Sequence, residues 1–421
     1  LKSPVNHIDT VIVGGGAAGF FAAIRIKEYN PDAQVAILEK TSKVLSKVLI
    51  SGGGRCNVTH NPALPLSQFA KCYPRGEKLM KKLLGQFSAH DTVEWFSQKG
   101  IRLKVEVDGR MFPITDSSST IANCLLDSCS KLNIPIHFQT GVKKVSPSED
   151  GFLLETTQGQ ISVKQLIIAS GGSPKADGLD WLKVLGHKIE TPVPSLFTFN
   201  IPTSTLKGLE GVSIPDARVK ITGLKQEYSG PMLVTHWGIS GPAVLKLSAF
   251  CARELANRNY QFRVLIQWHA LMGEEEVRSQ LMEYKQLHPK RICINYPLFD
   301  LPRRLWERVI DLSGIGQKPF AELSKKELNK LIENLVRFQL DVSGKTTFKD
   351  EFVTCGGVSL ESIHIPEMES RSYPNLYFCG EVLDVDGITG GFNFQAAWST
   401  GDAVARAIHK KSAGLNTTAL L

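Results

Sequence analysis

No apolar run in this 421-residue chain approaches the roughly 18 residues that a membrane span needs, so no membrane partner is expected. Leu1 to Asp9 lacks the apolar core of a secretion signal. The eight cysteines, at 56, 72, 124, 129, 251, 293, 355 and 379, include no Cys-x-x-Cys pair. That spacing excludes the common zinc frameworks and the dithiol of disulfide reductases, and no metal site is expected. The thiols read instead as small buried apolar groups in a reducing compartment, which makes a cytoplasmic location the expectation. Long runs of one charge are absent too. Lys and Arg outnumber Asp and Glu by 49 to 41, a formal charge of +8. A modest excess without a basic run suits an anionic small molecule, so a small-molecule substrate is expected and nucleic acid is not. No pattern speaks to oligomeric state.

What the chain does have is glycine in telling places. Thr10-Val11-Ile12-Val13 is a short apolar strand that runs into Gly14-Gly15-Gly16-Ala17-Ala18-Gly19. An amphipathic stretch from Phe20 to Tyr29 follows, then a second strand, Gln34 to Leu38, ending at Glu39. This is the order of a βαβ unit that holds an adenine dinucleotide. Gly14 permits the tight turn, Gly16 lets the backbone approach a pyrophosphate, and Gly19 lets helix and strand pack closely. The helix N-terminus, with Ala17 and Ala18 in its first turn, offers N–H groups to phosphate. Glu39 lies about 20 residues past the last glycine, where a carboxylate binds ribose hydroxyls and disfavours a 2′-phosphate. The ligand is FAD or NAD rather than NADP.

The length allows two or three domains. Strand and helix alternate at first, as in α/β folds. Apolar spacing predicts a helix over Gly76 to Lys99 and another over Ser119 to Leu132. His137 to Gln139, Gly141-Val142 and Gly151 to Thr156 read as a small meander. Gln165 to Ala169 is a buried strand ending in Ser170-Gly171-Gly172, small residues that let a ligand crowd the backbone. The alternation stops at Thr191-Pro192-Val193-Pro194. Short β-like runs follow, then a helical block that includes Leu301 to Leu312 and the capping box Ser324 to Glu327. Near the end the first pattern returns: Asn375 to Gly380 is a strand, and Gly390-Gly391 opens a helix. The expected architecture is α/β, with residues 1–190 and 351–421 forming a discontinuous Rossmann-like FAD-binding domain. The excursion is an inserted β domain over 191–270 and 337–350, with a helical subdomain over 271–336.

Four segments converge on one extended ligand. The βαβ unit is the first. Ser51-Gly52-Gly53-Gly54-Arg55-Cys56-Asn57 is the second, with exposed backbone N–H groups and Arg55 to neutralise phosphate. Gly380-Glu381 with Asp384 and Asp386 is the third, where a carboxylate at a strand end accepts from ribityl hydroxyls. The helix start at Gly391 is the fourth, placed to stabilise negative charge on a reduced ring. Together they favour FAD over NAD. A second dinucleotide fingerprint is absent, so NAD(P)H is expected as a transient electron donor at most.

These motifs resemble a bacterial family of NAD(P)/FAD-dependent oxidoreductases related to aminoacetone oxidase. The resemblance is carried by Val11 to Gly19, Ile50 to Thr59, Asp108 to Pro113, Thr235 to Pro242, Val353 to Val358 and Phe378 to Ala397. It implies a Rossmann-like FAD domain with an inserted β-barrel-like domain and a small helical domain. It also implies FAD contacts at Gly14, Gly16, Gly19, Glu39, Lys40, Ser51, Gly53, Arg55, Cys56, Asn57, Val142, Gly172, Gly380, Glu381, Asn393 and Phe394. Many members carry Gly-Arg before the position of Lys47, itself a candidate cofactor contact, where this chain has Leu45-Ser46, which shifts phosphate anchoring toward Arg55 and backbone. Members resemble amine oxidases or reductases of conjugated enones, so the resemblance implies the cofactor more firmly than the reaction.

Hydride chemistry at flavin N5 is therefore expected, with NAD(P)H-linked reduction of a conjugated small molecule as the leading reading. An oxygen-dependent amine oxidase is the alternative, and a flavin-bearing RNA-binding or regulatory protein using Arg303, Arg304 and Arg308 is another. His236 is the candidate general acid or base, because imidazole titrates near neutrality. Arg110 is the candidate to orient an anionic substrate. Cys56 has no visible base partner and is given no nucleophilic role.

Overall fold

The computed structural model describes residues 6–173, 175–202, 204–346 and 353–414. Expectations for Leu1 to Val5 and for a boundary between 350 and 351 fall outside those residues. The chain divides into two compact units, Leu1–Ser195 with Lys349–Leu421, and Leu196–Phe348. Among the described residues no helix is long and apolar enough to cross a membrane.

The first unit is built on a parallel sheet. Strand β1 (Asn6–Val13) leads to helix α1 (Ala17–Tyr29) and strand β2 (Val35–Leu38). Helix α2 (Ser46–Gly54) follows, and strand β3 (Ile136–His137) extends the sheet beside β2. Strand β4 (Gly159–Ile168) lies on the other side of β1, strand β5 (Val353–Val358) lies outside this sheet, and strand β6 (Leu376–Phe378) pairs with β4. The parallel order is thus β3-β2-β1-β4-β6, and mixed α/β with a Rossmann-type domain is the fold class. Helix α3 (Phe392–Ser412) closes the chain and packs on α1. Val11, Ile12, Phe20, Phe21, Ile24 and Ile37 are fully buried, each worth about 1.5–3 kcal/mol of burial.

Three local expectations need correction. The stretch from Gly76 to Lys99 is two helices, Glu77–Leu84 and Ala89–Gln98. The second starts afresh because Ser88 and Asp91 form a reciprocal capping box. His137 does not join the meander; it ends β3, and the meander is Val142–Ser148, Gly151–Thr156 and β4. The strand Ile189–Ser195 pairs antiparallel with β5 inside the first unit, so the chain leaves for the second unit after Ser195 rather than at Thr191.

The second unit is an antiparallel sheet in the order 338–343, 261–267, 213–221, 227–234, 238–240, 198–200, 345–346. Its two outer members belong to one continuous stretch that bends at Gly344 (φ +103°). Gly344 donates to Tyr260 O at 2.9 Å and accepts from Asn200 N at 3.1 Å, so this stretch serves both edges and the sheet closes on itself. The helices Glu274–Leu287, Arg303–Leu312 and Lys325–Val336 share the unit's core, with Leu305, Trp306, Val309, Leu331 and Ile332 buried together.

Candidate functional site

The parallel strands end in register. Val13 is level with Leu38 and with Ile168, and Ile168 is level with Phe378. The residues after those four ends therefore stand side by side: Gly14 to Gly16, Glu39-Lys40, Ala169 to Gly172, and Cys379 to Glu381. In an open α/β sheet this carboxyl edge is where a ligand lies.

The glycines there divide into those pressed against neighbours and those that keep space open. A Cβ on Gly14 (φ +118°) would sit 2.3 Å from Ala169 O, and one on Gly19 would sit 2.1 Å from Gly14 O. Those two glycines are required by the protein's own packing. A Cβ on Gly16 would meet nothing within 4 Å, so space is kept open above the turn. Gly16 caps α1 without any side-chain hydrogen bond, and no acid stands in the first turn. The start of α3 at Gly391 (φ +92°) is likewise uncapped by a side chain and free of acids in its first turn. Helices Ser118–Lys131, Pro242–Phe250 and Arg303–Leu312 also start without a side-chain cap or an acid, so what distinguishes α1 is its start at the carboxyl edge of the sheet. Helix N-termini with no acid in their own first turns suit an anionic ligand.

Carboxylates frame this edge. Glu39 accepts from Gly15 N at 2.9 Å and from Thr41 N at 2.8 Å, which fixes it beside the glycine turn. Glu381 accepts from Lys47 Nζ at 2.6 Å and from Thr354 N at 2.8 Å. Lys47 thus ties α2 to the turn after β6. Gly172 belongs to the same knot, since a Cβ there would lie 2.2 Å from Thr354 Oγ1 and 2.8 Å from Glu381 Oε1. Gly380 (φ +75°) touches the start of α1, where its Cβ would come 2.6 Å from Ala18 Cβ. Ser170 is exposed and Gly171 half-buried at the same edge. Lys40 is exposed after β2, and Gly141, next to the half-buried Val142, approaches its Cβ.

The glycine loop behaves differently from expectation in part. Its backbone is left-handed through Gly52, Gly53 and Gly54, and a Cβ on Gly53 or Gly54 would meet nothing. Ser51 donates to Val48 O at 3.0 Å. Arg55, however, is held by Glu106 at 2.6 Å and Asp116 at 3.5 Å and lies 3.9 Å over the Phe112 ring. Its charge is already matched, so it does not stand as a bare phosphate counter-ion. Cys56 is fully buried and burial pushes its thiol up to about 12, which removes it from nucleophilic chemistry and leaves only its backbone for a ligand. Asn57 accepts from Met111 N at 3.3 Å. Arg110 pairs with Asp108 at 2.7 Å and Glu106 at 3.1 Å, a surface ion-pair cluster.

Asn393 spends its amide on Gly387, accepting from its N at 2.8 Å and donating to its O at 3.0 Å, so it shapes the loop before α3. Phe394 stacks on Trp398 with ring centroids 5.8 Å apart. Asp384 donates its backbone N–H to Val358 O. His236 lies in the second unit, exposed on the turn between the strands Glu227–Val234 and Gly238–Ser240.

Sequence reasoning missed the buried ion pair beneath this region. Arg75 is bidentate to Asp386, with its Nε 2.6 Å from Oδ1, and Ser195 donates to Asp386 Oδ2 at 2.7 Å. Asp386 is fully buried between the Glu381 turn and the start of α3. The isolated Arg before Gly76 gave no local signal. Among the described residues one trio, His90, Asp91 and Glu94, has ligand atoms within 4.8 Å of one another, but Asp91 is engaged in capping.

Comparison with known proteins follows this geometry. The family described as HI0933-like protein Rossmann domain matches residues 8–407. A ribosomal RNA dihydrouridine synthase of Escherichia coli is 29% identical over 415 residues, covering 96% of this chain and 98% of its own. A 3-dehydro-bile acid delta(4,6)-reductase of Clostridium scindens is 30% identical over 408 residues, covering 94% and 98%. Among solved structures, a 3-ketosteroid delta1-dehydrogenase from Sterolibacterium denitrificans matches with a TM-score of 0.51 at 13% identity, covering 97% of this chain and 100% of that one. At that identity the likeness is one of fold.

Proposed function

We propose, because the chain belongs to the HI0933-like family of Rossmann-domain proteins, that it is an FAD-dependent reductase of a carbon–carbon double bond conjugated to a carbonyl, with NAD(P)H as transient electron donor. The carrying observation is the set of four in-register strand ends flanked by two uncapped, acid-free helix starts. The open position above Gly16 fits a pyrophosphate. When bound, the flavin supplies the hydride chemistry. The chain's residues hold and tune it. Backbone N–H groups from Gly16 to Gly19 receive phosphate, Glu39 receives the adenosine ribose, and Glu381 faces ribityl hydroxyls from its Lys47-anchored position. The N-terminus of α3 favours negative charge on the ring end by roughly 0.3–1 kcal/mol where exposed, and by more where buried.

The relatives' names support the reaction class. One makes dihydrouridine, the product of adding two hydrogens across a ring double bond conjugated to a carbonyl. The other reduces the 4,6-unsaturation of a 3-dehydro steroid acid. We assign proton delivery to His236, whose imidazole is accessible to solvent. Anaerobic mixing with NADH or NADPH tests the reading. Rapid bleaching of a flavin band, followed by recovery of colour on adding an enone or uridine-containing RNA, is the expected result. Reduction by amines with recovery only under oxygen would replace this reading with an oxidase. Protein that stays colourless after incubation with FAD would remove the cofactor altogether.

A further inference from the structure

We propose that His60 is a positioning residue for the cofactor: its Nδ1–H holds the Gly390-Gly391 turn, and through it the first N–H groups of α3, at the ring end of the flavin. The proposal rests on the FAD-dependent reductase reading. It deepens that reading by naming the side chain that sets how strongly the site favours the reduced ring.

The first observation is a run of contacts from one short segment to α3. Just after the glycine loop, Val58 O accepts from Trp398 Nε1 at 2.9 Å, Thr59 Oγ1 donates to Gln395 Oε1 at 2.6 Å, and His60 Nδ1 lies 3.0 Å from Gly390 O. The first two grip the body of the helix. Of these contacts, only that of His60 reaches the turn ahead of it. The backbones are close as well, since a Cβ on Gly391 would sit 2.3 Å from Thr59 O. His60 thus ties the segment that follows Gly52, Gly53 and Gly54 to the start of α3, two of the stretches assigned to the dinucleotide.

The second observation fixes the proton and the ring. Gly390 O can only accept, so the contact requires the hydrogen on Nδ1. A neutral ring is then the Nδ1–H tautomer, and a protonated ring carries the same hydrogen, so the hold on Gly390 does not depend on the ring's charge. Packing keeps the ring in place. His60 is half-buried, stacks on Phe392 with centroids 4.7 Å apart and planes 27° from parallel, and meets Phe69 edge-on at 6.2 Å. Its far edge is closed by Gly109 (φ +84°), where a Cβ would lie 2.5 Å from Nε2. Asn61 N–H donates to Gly109 O at 2.7 Å, and Arg110 stands opposite His60 in the strand ladder, so that wall is itself fastened.

The third observation is what the turn controls. Gly390 (φ +130°) and Gly391 (φ +92°) both adopt backbone that other residues rarely take, and a Cβ on Gly390 would strike the Phe392 ring at 2.8 Å. Such a turn has no side chain of its own to steady it. Helix α3 starts after it with no side-chain cap and no acid in its first turn. Rotating the Gly390 carbonyl re-aims the N–H groups that follow, and charge stabilisation by a helix start falls off within that first turn. Donors stabilise developing charge best when they are aimed before it appears. His60 fixes that aim from outside the helix.

The test is the midpoint potential of the FAD-loaded full chain, read from flavin absorbance during anaerobic reduction beside a reference dye. His60→Phe keeps a ring to pack on Phe392 and removes the donor. It should lower the preference for reduced over oxidised flavin by about five- to tenfold, a fall of roughly 20–30 mV for a two-electron couple. His60→Asn, whose amide nitrogen can stand where Nδ1 stands, should remain within about twofold of wild type, or roughly 10 mV. Thr59→Val, which loosens the helix body, should lower the melting temperature and leave the potential unmoved. Nitrogen NMR of wild-type protein with isotope-labelled histidine should show the proton on Nδ1 of His60, its signal identified by its loss in His60→Asn. An unmoved potential in His60→Phe, an equal fall in Thr59→Val, or an Nδ1 without a proton overturns the proposal, and the NMR decides should His60→Phe not fold. Bleaching by NAD(P)H and return of colour with an enone are recorded on the same samples. Normal bleaching with an unmoved potential in His60→Phe sinks only this role. A shifted potential in protein that NAD(P)H fails to bleach sinks only the reductase, and protein that takes up no FAD sinks both.

Discussion

Replacing Asp386 by Asn should unsettle the first unit more than any other isosteric change near its strand tips. Asp386 has no exposed surface and the Arg75 side chain is 10% exposed, so the guanidinium left behind would be desolvated and would have lost the carboxylate bound to it. Breaking a buried pair from one side costs about 3–5 kcal/mol. Summing the separate charge-assisted hydrogen bonds at about 1.5–3 kcal/mol each gives a larger figure, but Asn still accepts at one oxygen, so the lower range decides. For a unit of this size each kcal/mol moves the melting temperature by about 2–4 °C, which predicts a drop of roughly 6–20 °C. The assay is calorimetry of the FAD-loaded protein with flavin release followed in the same scan. Because Asp386 sits between the Glu381 turn and α3, flavin should leave earlier than in the wild type. Ser195→Ala, which removes one donor, should cost only about 1.5–3 kcal/mol. The double change Arg75→Met with Asp386→Leu should recover much of the loss, since apolar replacement of a buried pair is often neutral. An Asp386→Asn protein that melts within about 2 °C of wild type and keeps its flavin would refute this reasoning.

Two glycines should separate ligand contact from packing. Gly16→Ala should leave the thermal stability of cofactor-free protein within about 1 kcal/mol of wild type yet cut FAD affinity, because no protein atom lies within 4 Å of the added Cβ and the proposed pyrophosphate position does. Gly19→Ala should lower both, because its Cβ would strike Gly14 O, and titration with FAD beside a melting curve checks the pair. His187 is buried, its Nε2 lies 2.8 Å from Ser370 Oγ, and burial holds its pKa below the ordinary 6.5. As pH falls below about 6.5 the unfolded chain binds a proton that the folded chain refuses, so stability is full above that pH and declines beneath it. His187→Leu should flatten urea-unfolding free energies over that window, by up to roughly 1.4 kcal/mol per pH unit. His236→Ala should slow steady-state turnover while leaving flavin content intact; unchanged turnover would dismiss it as the proton donor.

Local order in the sequence accounts for what could be read early. Strand, glycine turn, helix and acid follow each other within β1 to β2, and Gly19 packs on its own turn at Gly14 O. The same holds for Gly391, whose positive φ ends one loop and starts α3. What escaped reading depends on partners far apart in the chain. Arg55 looked like a phosphate anchor because Glu106 and Asp116 lie in another segment, and only folding brings them to it. Arg75 and Asp386 are 311 positions apart, and Asp386, read in its motif as a ligand-facing carboxylate, is turned instead to an arginine that stands in no motif. The break between Ala89–Gln98 and the helix before it had a local cause in Ser88 and Asp91, but apolar periodicity running through Phe87 masked the cap.

Ser195 and Val353 face each other across one rung of the antiparallel ladder. The 153 residues from 196 to 348 therefore depart and return at a single doorway in the first unit. Such a doorway makes the excursion a cassette. Its barrel and helices can drift, lengthen or be exchanged while the strand tips that cradle the dinucleotide keep their register. A hairpin turn spliced between those two facing residues would give a stripped-down version of the first unit, and related proteins could carry very different substrates on one unchanged chassis.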